Sequence, residues 1–233
     1  MRGDALVGLG QHYHQRGHVL LPGLVDPANA EFLVGQFISA AHADNNIVRQ
    51  PPEDSGAVLG PALQIFSYRC PVLATFHLGL TPIVAAVTGL DLAPSFALFR
   101  VNTRRTGLSV HRDRPASEHG LSLALAYSDH VPWPLEIGTE PADDQFRSRR
   151  EWGDLPHTSF SMGVGDGLLY RGPQYAHART SPNPNDMSAH VFLFWVERNG
   201  PHADWSFDRC RGPGSEHEAA GPRSSVKKGA RED

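Results

Sequence analysis

The chain has 233 residues, 40% of them apolar, with 21 basic and 25 acidic side chains and a formal charge of −4 at pH 7. That length suits one large domain with a substantial core, and the mild negative balance supplies no basic field for nucleic acid or an anionic membrane, so neither is expected as a partner. Two cysteines, Cys70 and Cys210, form neither a disulfide framework nor a metal-type spacing. Reduced thiols point to the cytoplasm. So does an opening stretch, Met1 to Gly10, without the charged, apolar, small-residue layout of a signal, in a chain where no run approaches about 20 apolar residues. Thirteen histidines are scattered along the chain, and the question is which few of them act.

Helices are predicted first and strands after. Residues 13–24 read as an opening extended element, with Val19, Leu20 and Leu21 apolar. Asp26-Pro27 is a helix start, a cap followed by proline at the first helical position. The helix is predicted to run to about Ala43 with Phe32, Leu33, Phe37 and Ile38 on one face. Residues 45–61, rich in Pro, Gly and polar side chains, read as loop. A second helical stretch covers 72–88, where Pro82 predicts two shorter helices and Gly89 a stop. After Pro94 eight short apolar runs alternate with turn residues: 96–101, 108–111, 121–127, 135–137, 158–162, 167–170, 176–180 and 190–196. Such a pattern predicts a barrel or double-sheet jelly roll, in an α+β, mainly β chain whose N-terminal helices buttress one sheet. The expected organisation is one domain over 1–212, with a helical part at about 1–93 and the barrel at about 94–200. A loosely ordered tail follows at 213–233. The charged stretch from Glu140 to Pro156, with Arg147, Arg149 and Arg150, reads as a solvated loop or a lid at the barrel mouth, its arginines suited to an acidic substrate.

The chemistry begins at His111-Arg112-Asp113. Side chains on a strand alternate between faces, so His111 and Asp113 bring an imidazole and a carboxylate to one point. A third ligand must come from another strand. His177, after the Gly165-Asp166-Gly167 turn and a loop through Gly172-Pro173, is the best placed. Two histidines and one carboxylate on one face of an octahedral ion leave three positions open, the arrangement of non-haem Fe(II) oxygenases. A 2-oxo acid can chelate through two of these and dioxygen take the third, whereas a closed four-ligand zinc site has no such room. The spacing alone is moderately specific, since a surface His and Asp beside a turn reads the same.

The surroundings carry a resemblance. Tyr13-His14-Gln15-Arg16-Gly17-His18-Val19-Leu20-Leu21-Pro22-Gly23-Leu24 resembles the opening of phytanoyl-CoA-dioxygenase-like proteins, in which a helix and a strand precede a catalytic barrel. Thr88-Gly89-Leu90-Asp91-Leu92-Ala93-Pro94, followed by Arg100, is similar to the lead-in to the first barrel strand of bacterial 2-oxoglutarate oxygenases. Gly107-Leu108-Ser109-Val110-His111-Arg112-Asp113-Arg114 is similar to their Gly-x-x-x-His-x-Asp pattern. Pro132-Trp133-Pro134, the Gly165 turn, Tyr170-Arg171-Gly172, His177-Ala178-Arg179 and the run 190–196 follow in the expected order. The resemblance covers about residues 13–198 and is to the Fe(II)/2-oxoglutarate-dependent dioxygenase superfamily, in its phytanoyl-CoA-dioxygenase-like and prolyl-hydroxylase-like bacterial branches. It implies a double-stranded β-helix, the cupin-like jelly roll, with Fe(II) on His111, Asp113 and His177, 2-oxoglutarate as co-substrate and O2 as oxidant. The implied reaction is hydroxylation of an unactivated C–H bond of a small molecule, or of an amino-acid or peptide side chain, with release of succinate and CO2. Asp113 stands where related halogenases carry a small residue, which argues against halogenation.

One position departs from this pattern. Most members carry Arg or Lys roughly ten to fifteen residues after the distal histidine, where it pairs with the outer carboxylate of 2-oxoglutarate. Here residues 186–192 hold Ser188 and His190 but neither Arg nor Lys. Arg179, two residues past His177, is the first replacement, since a buried guanidinium can grip a carboxylate through two parallel hydrogen bonds. Arg100 is the second, with His190 and Ser188 as further hydrogen-bonding groups. The missing anchor also favours a rival, a cupin-like Zn or Mn isomerase or lyase, or a small-molecule binding protein. Succinate production separates the two. The prime substrate and the oligomeric state are not legible.

Overall fold

The computed structural model describes residues 3–43, 47–50, 56–143 and 145–207; the expected tail at 213–233, and Cys210 with it, lies outside the described residues. In chain order the elements are α1 (Gly3–Arg16), β1 (His18–Leu21), α2 (Pro27–Ala43), β2 (Val48–Gln50), β3 (Val58–Leu59), β4 (Ala62–Phe66) and α3 (Pro71–Thr88). Then come β5 (Leu92–Thr103), β6 (Gly107–His111), β7 (His119–Tyr127), β8 (Leu135–Gly138), β9 (His157–Phe160), β10 (Gly167–Tyr170), β11 (His177–Arg179) and β12 (Met187–Glu197). They form two antiparallel sheets, ordered β1-β10-β7-β12-β5-β4-β2 and β3-β6-β11-β8-β9. This is a double-stranded β-helix, and each strand expected after Pro94 is present.

The alternation of side chains explains the layering. Along the large sheet Ala97, Phe99, Leu121, Leu123, Leu125, Ala189, Val191 and Leu193 face one way, into the core shared with α2 and α3. Fully burying one such Leu or Phe stabilises by about 1.5–3 kcal/mol. Their neighbours in sequence face the other sheet, and there polar groups collect: Arg100 and Asn102 of β5, Ser122 of β7, Ser188 and His190 of β12. The sheet is thus apolar towards the helices, while towards the barrel interior these polar groups are set among Leu98, Phe192 and other apolar side chains.

Helix α2 starts where Asp26-Pro27 predicts, with Asp26 Oδ1 accepting the Ala28 amide at 2.9 Å. Gly89 ends α3 with φ 68°, its amide donating to the Ala85 carbonyl at 2.8 Å. Several expectations differ. The first part of the predicted extended element is helical, because α1 runs to Arg16 and only 18–21 is strand. Tyr13 lies on the inner side of α1, its hydroxyl 2.6 Å from His119 Nδ1. Gly17, at φ 75°, turns the chain out of the helix. Secondly, Pro82 does not divide α3. Leu73, Leu80, Val84 and Val87 bury one continuous face, and that burial outweighs the roughly 3 kcal/mol an interior proline costs. This 18-residue helix is, by length and composition, apolar enough to cross a membrane, contrary to the reading of the sequence. In the fold it packs on β5 and α1. Thirdly, the part at about 1–93 is not helical throughout. It contributes β1 to one edge of the large sheet, β2 and β4 to the other, and β3 to the small sheet.

The Gly165 turn links β10 to the start of α2. Asp166 accepts the amides of Gly23 (2.7 Å) and Gly163 (2.9 Å). Gly165 has φ 91°, and a Cβ there would run into the Val25 carbonyl. Gly165→Ala should therefore lower stability by about 1–3 kcal/mol from backbone strain alone, with more from displacing Val25, read as a fall in the urea midpoint at unchanged m-value.

Candidate metal centre

Strand pairing builds the centre. In the β11–β6 ladder His177 lies directly opposite His111, and their rings are 4.3 Å apart, centre to centre. Strand β6 ends at His111, so Asp113 stands two residues beyond the ladder rather than on it as expected. It is brought back by its own amide, which donates to the Gly172 carbonyl at 3.1 Å. Gly172 permits that approach, because a Cβ there would collide with the Asp113 side chain. The sequence shows this glycine but not the contact that requires it.

Both imidazoles are aimed by their far nitrogens. His111 Nδ1 is 2.8 Å from the Ser109 carbonyl and His177 Nδ1 is 3.2 Å from the Tyr175 carbonyl. A neutral ring that donates from Nδ1 presents the Nε2 lone pair to a metal. His111 Nε2 lies 3.9 Å from Asp113 Oδ1 and His177 Nε2 lies 3.5 Å from Asp113 Oδ2. One ligand atom from each of the three residues falls within 4.8 Å of the others. Asp113 Oδ2 is buried with no hydrogen-bond partner, an arrangement a cation would satisfy.

The electrostatics agree. Burial, and then the neighbouring His177, push His111 down to about 4, so it stays neutral and able to bind metal. Burial works against the charged form of His177 too, but the charge of the Asp113 carboxylate beside it outweighs burial and holds His177 above the usual histidine range. For Asp113, burial favours the neutral acid, yet His177 and His111 together keep the carboxyl below its usual range.

The expected anchors come from both sheets: Arg179 from β11 beside His177, Arg100 from β5, and Ser188 and His190 from β12. Arg179 is buried beneath Trp133: its guanidinium carbon is 4.7 Å from the ring centre, Nη1 donates to the Trp133 carbonyl, and Nη2 is buried without a partner. Arg100 pairs in register with His190 across the β5–β12 ladder, its Nε also buried and unpartnered. Burial lowers both arginines to about 10, with nearby tyrosines opposing the shift, so both carry charge at neutral pH. His190 is neutral, driven well below the usual range by burial and by both arginines. Its ring nitrogens lie 3.4 Å from Asn102 Nδ2 and 3.4 Å from the Tyr127 hydroxyl. Ser188 Oγ is buried and unpartnered. The window 186–192 lacks a cation, but Arg100 supplies one from the adjacent strand.

The cavity in front of the centre has a volume of about 390 Å3. Phe146, Arg147 and Ser148 of the loop from Glu140 to Pro156 line it, as do Arg112, Pro115 and Pro173, which the sequence did not single out. The loop is fastened to β6 by two backbone hydrogen bonds between Val110 and Arg149, at 2.8 and 3.0 Å. Trp152 Nε1 ties it to Glu136 at 2.7 Å.

No family model and no curated protein matches the sequence. Solved structures do match the fold. The non-haem α-ketoglutarate-dependent epimerase SnoN of nogalamycin biosynthesis is 16% identical, with a TM-score of 0.62 over 84% of each chain. A Pseudomonas putida prolyl-4-hydroxylase is 10% identical, TM-score 0.56, over 81% of this chain and 98% of its own. HygX from Streptomyces hygroscopicus, solved with nickel, 2-oxoglutarate and hygromycin B, is 13% identical, TM-score 0.56, over 81% and 86%. The architecture is therefore that of the Fe(II)/2-oxoglutarate oxygenases.

The raised pKa of His177 sets the pH dependence of metal uptake. Below that pKa the ring holds a proton that a metal must displace. Ni(II) affinity should accordingly weaken as pH falls through it, by up to about tenfold per pH unit, and level off above it. Isothermal titration in buffers of different ionisation enthalpy should show proton release on binding. His177→Ala should abolish that release and weaken Ni(II) binding by more than about 100-fold, beyond what loss of a supporting partner costs.

Proposed function

We propose that the chain is an Fe(II)- and 2-oxoglutarate-dependent oxygenase that hydroxylates a C–H bond of a small molecule. The observation that carries this reading is a cation site and an anion site built side by side in one barrel. Asp113 Oδ2 lacks a partner between two imidazoles, and Arg100 and Arg179 hold unpartnered nitrogens on the inner face behind it. A buried guanidinium with no acidic partner is costly, by several kcal/mol or more, and an anion that binds there offsets the cost. A 2-oxo diacid suits both sites, with its oxo-acid end on the metal and its far carboxylate on the arginines.

In this reading His111, Asp113 and His177 hold the iron and leave three positions open. Arg100 and Arg179 grip the outer carboxylate, with Ser188 and His190 completing its surroundings. His190, being neutral, adds no competing charge and can donate or accept a hydrogen bond. Tyr170, its ring 4.7 Å from that of His177, walls the ligand histidine. When bound, the iron would activate O2, the oxidant, with 2-oxoglutarate oxidised to succinate and CO2 as it takes one oxygen atom and the substrate taking the other. The rival, a redox-inactive metal barrel acting as an isomerase, lyase or binding protein, drew its support from the empty window after His177, and Arg100 weakens that support.

Metal-free protein given Fe(II), ascorbate and 2-oxoglutarate under air should release succinate, and His111→Ala should not. Arg100→Met and Arg179→Met should each raise the 2-oxoglutarate concentration for half-saturation by at least roughly tenfold, the worth of a charge-assisted hydrogen bond. Absence of both succinate and 2-oxoglutarate binding in the iron-loaded protein would favour the rival. Once a substrate is in hand, mass spectrometry of the product distinguishes addition of one oxygen from an epimerised product of unchanged mass.

A further inference from the structure

The mouth of the proposed oxygenase site is charged on one side only. The cavity is lined by His111, Arg112, Asp113 and Phe146, all half-buried, and by Arg147 and Ser148, which are exposed. Asp113 is the one acidic side chain in this lining, and the metal would take it up. No ion pair joins Arg112 or Arg147 to an acidic side chain among the described residues. Asp143, exposed in the same loop, accepts the Gln145 amide through Oδ1 at 2.9 Å and forms no ion pair with either arginine.

The two guanidiniums are positioned without being neutralised. That of Arg112 sits 5.8 Å from the centre of the Phe146 ring, with Nη1 3.4 Å from the Ala142 carbonyl. Arg147 uses Nη1 on the carbonyls of Gln145 (3.1 Å) and Phe146 (3.2 Å). Arg149 places a third guanidinium 5.4 Å from the same ring. A solvated arginine contributes little by itself. Two that converge on a concave cavity with an apolar wall focus the field there and favour an anion.

We propose that the prime substrate is a small molecule bearing a carboxylate or phosphate group, held by Arg112 and Arg147 with its reacting carbon towards His111 and Asp113. This rests on the oxygenase reading and names the substrate class for that site.

Protein loaded with Mn(II) in place of iron and saturated with 2-oxoglutarate under argon would be titrated with straight-chain carboxylates from butanoate to octanoate, their amides, and alkyl phosphates of matching chain length. Relaxation of the probe protons by the bound Mn(II) reports residence near the metal. Carboxylates or phosphates should bind at least roughly tenfold more tightly than the amides, with the preferred acid identifying the group. The preference should shrink in high salt, and in Arg112→Gln and Arg147→Gln. The contrast between acid and amide in the unmodified protein stands even if a variant fails to fold. Equal binding of acids and amides with 2-oxoglutarate still bound would overturn the anion assignment alone. So would acids that enter only by displacing 2-oxoglutarate. Protein that took up neither Mn(II) nor 2-oxoglutarate would overturn the oxygenase reading and this proposal with it.

Discussion

The in-register contact of β11 with β6 sets His177 opposite His111, and the rest of the candidate site hangs on it. A slip of one residue would turn His177 to the opposite face of its sheet. The ladder is short, since β11 spans three residues and its register shifts between His177 and Arg179. Local pairing alone does not secure it. The flanking contacts do: β8 holds the other edge of β11, Tyr175 O takes the His177 ring, and Arg179 is clamped beneath Trp133. The same residues that position the ligand histidine therefore also position a buried cation.

The polar inner face of the large sheet is the second constraint. A barrel lined wholly by aliphatic side chains would pack more cheaply, because each buried charge must be stripped of water. This barrel instead retains two arginines, a neutral histidine and unpartnered serine hydroxyls at Ser122 and Ser188. The helices on the outer face supply the compensating apolar burial, with Phe37, Leu73, Val84 and Trp195 fully covered. In β5 and β12 apolar burial and buried polar groups thus lie on opposite faces of the same strands, while the candidate metal ligands come from the other sheet.

Much of this was legible because strands repeat every two residues. The alternation in β5, β7 and β12, and the spacing of His111 and Asp113, needed no structure, although Asp113 proved to lie just past the strand. Asp26-Pro27 and Gly89 announced helix ends through local backbone chemistry that tertiary packing did not override. Helix α1 was implied by the resemblance but not legible in the residue pattern. Its inward side is marked chiefly by Tyr13, whose partner His119 is 106 residues away. Pro82 misled for a related reason, since local propensity said break while the buried face of α3 held. Arg100 was a candidate from the sequence, but its place beside His190 depends on a pairing between residues 100 and 190. Arg112 escaped attention because alternation turns it away from His111, a rule that lapses where β6 ends.

The backbone bonds between Val110 and Arg149 bear on how such a protein changes over generations. Main-chain amides and carbonyls do not register which side chain they carry. The loop over the cavity is stapled beside a metal ligand by atoms that almost any residue provides, proline excepted. The side chain at position 147, exposed and bonded to carbonyls of its own loop, is therefore free to drift while the loop stays where it is and His111 is undisturbed. A barrel built this way can exchange one clientele for another by small steps, without ever passing through a sequence that fails to fold.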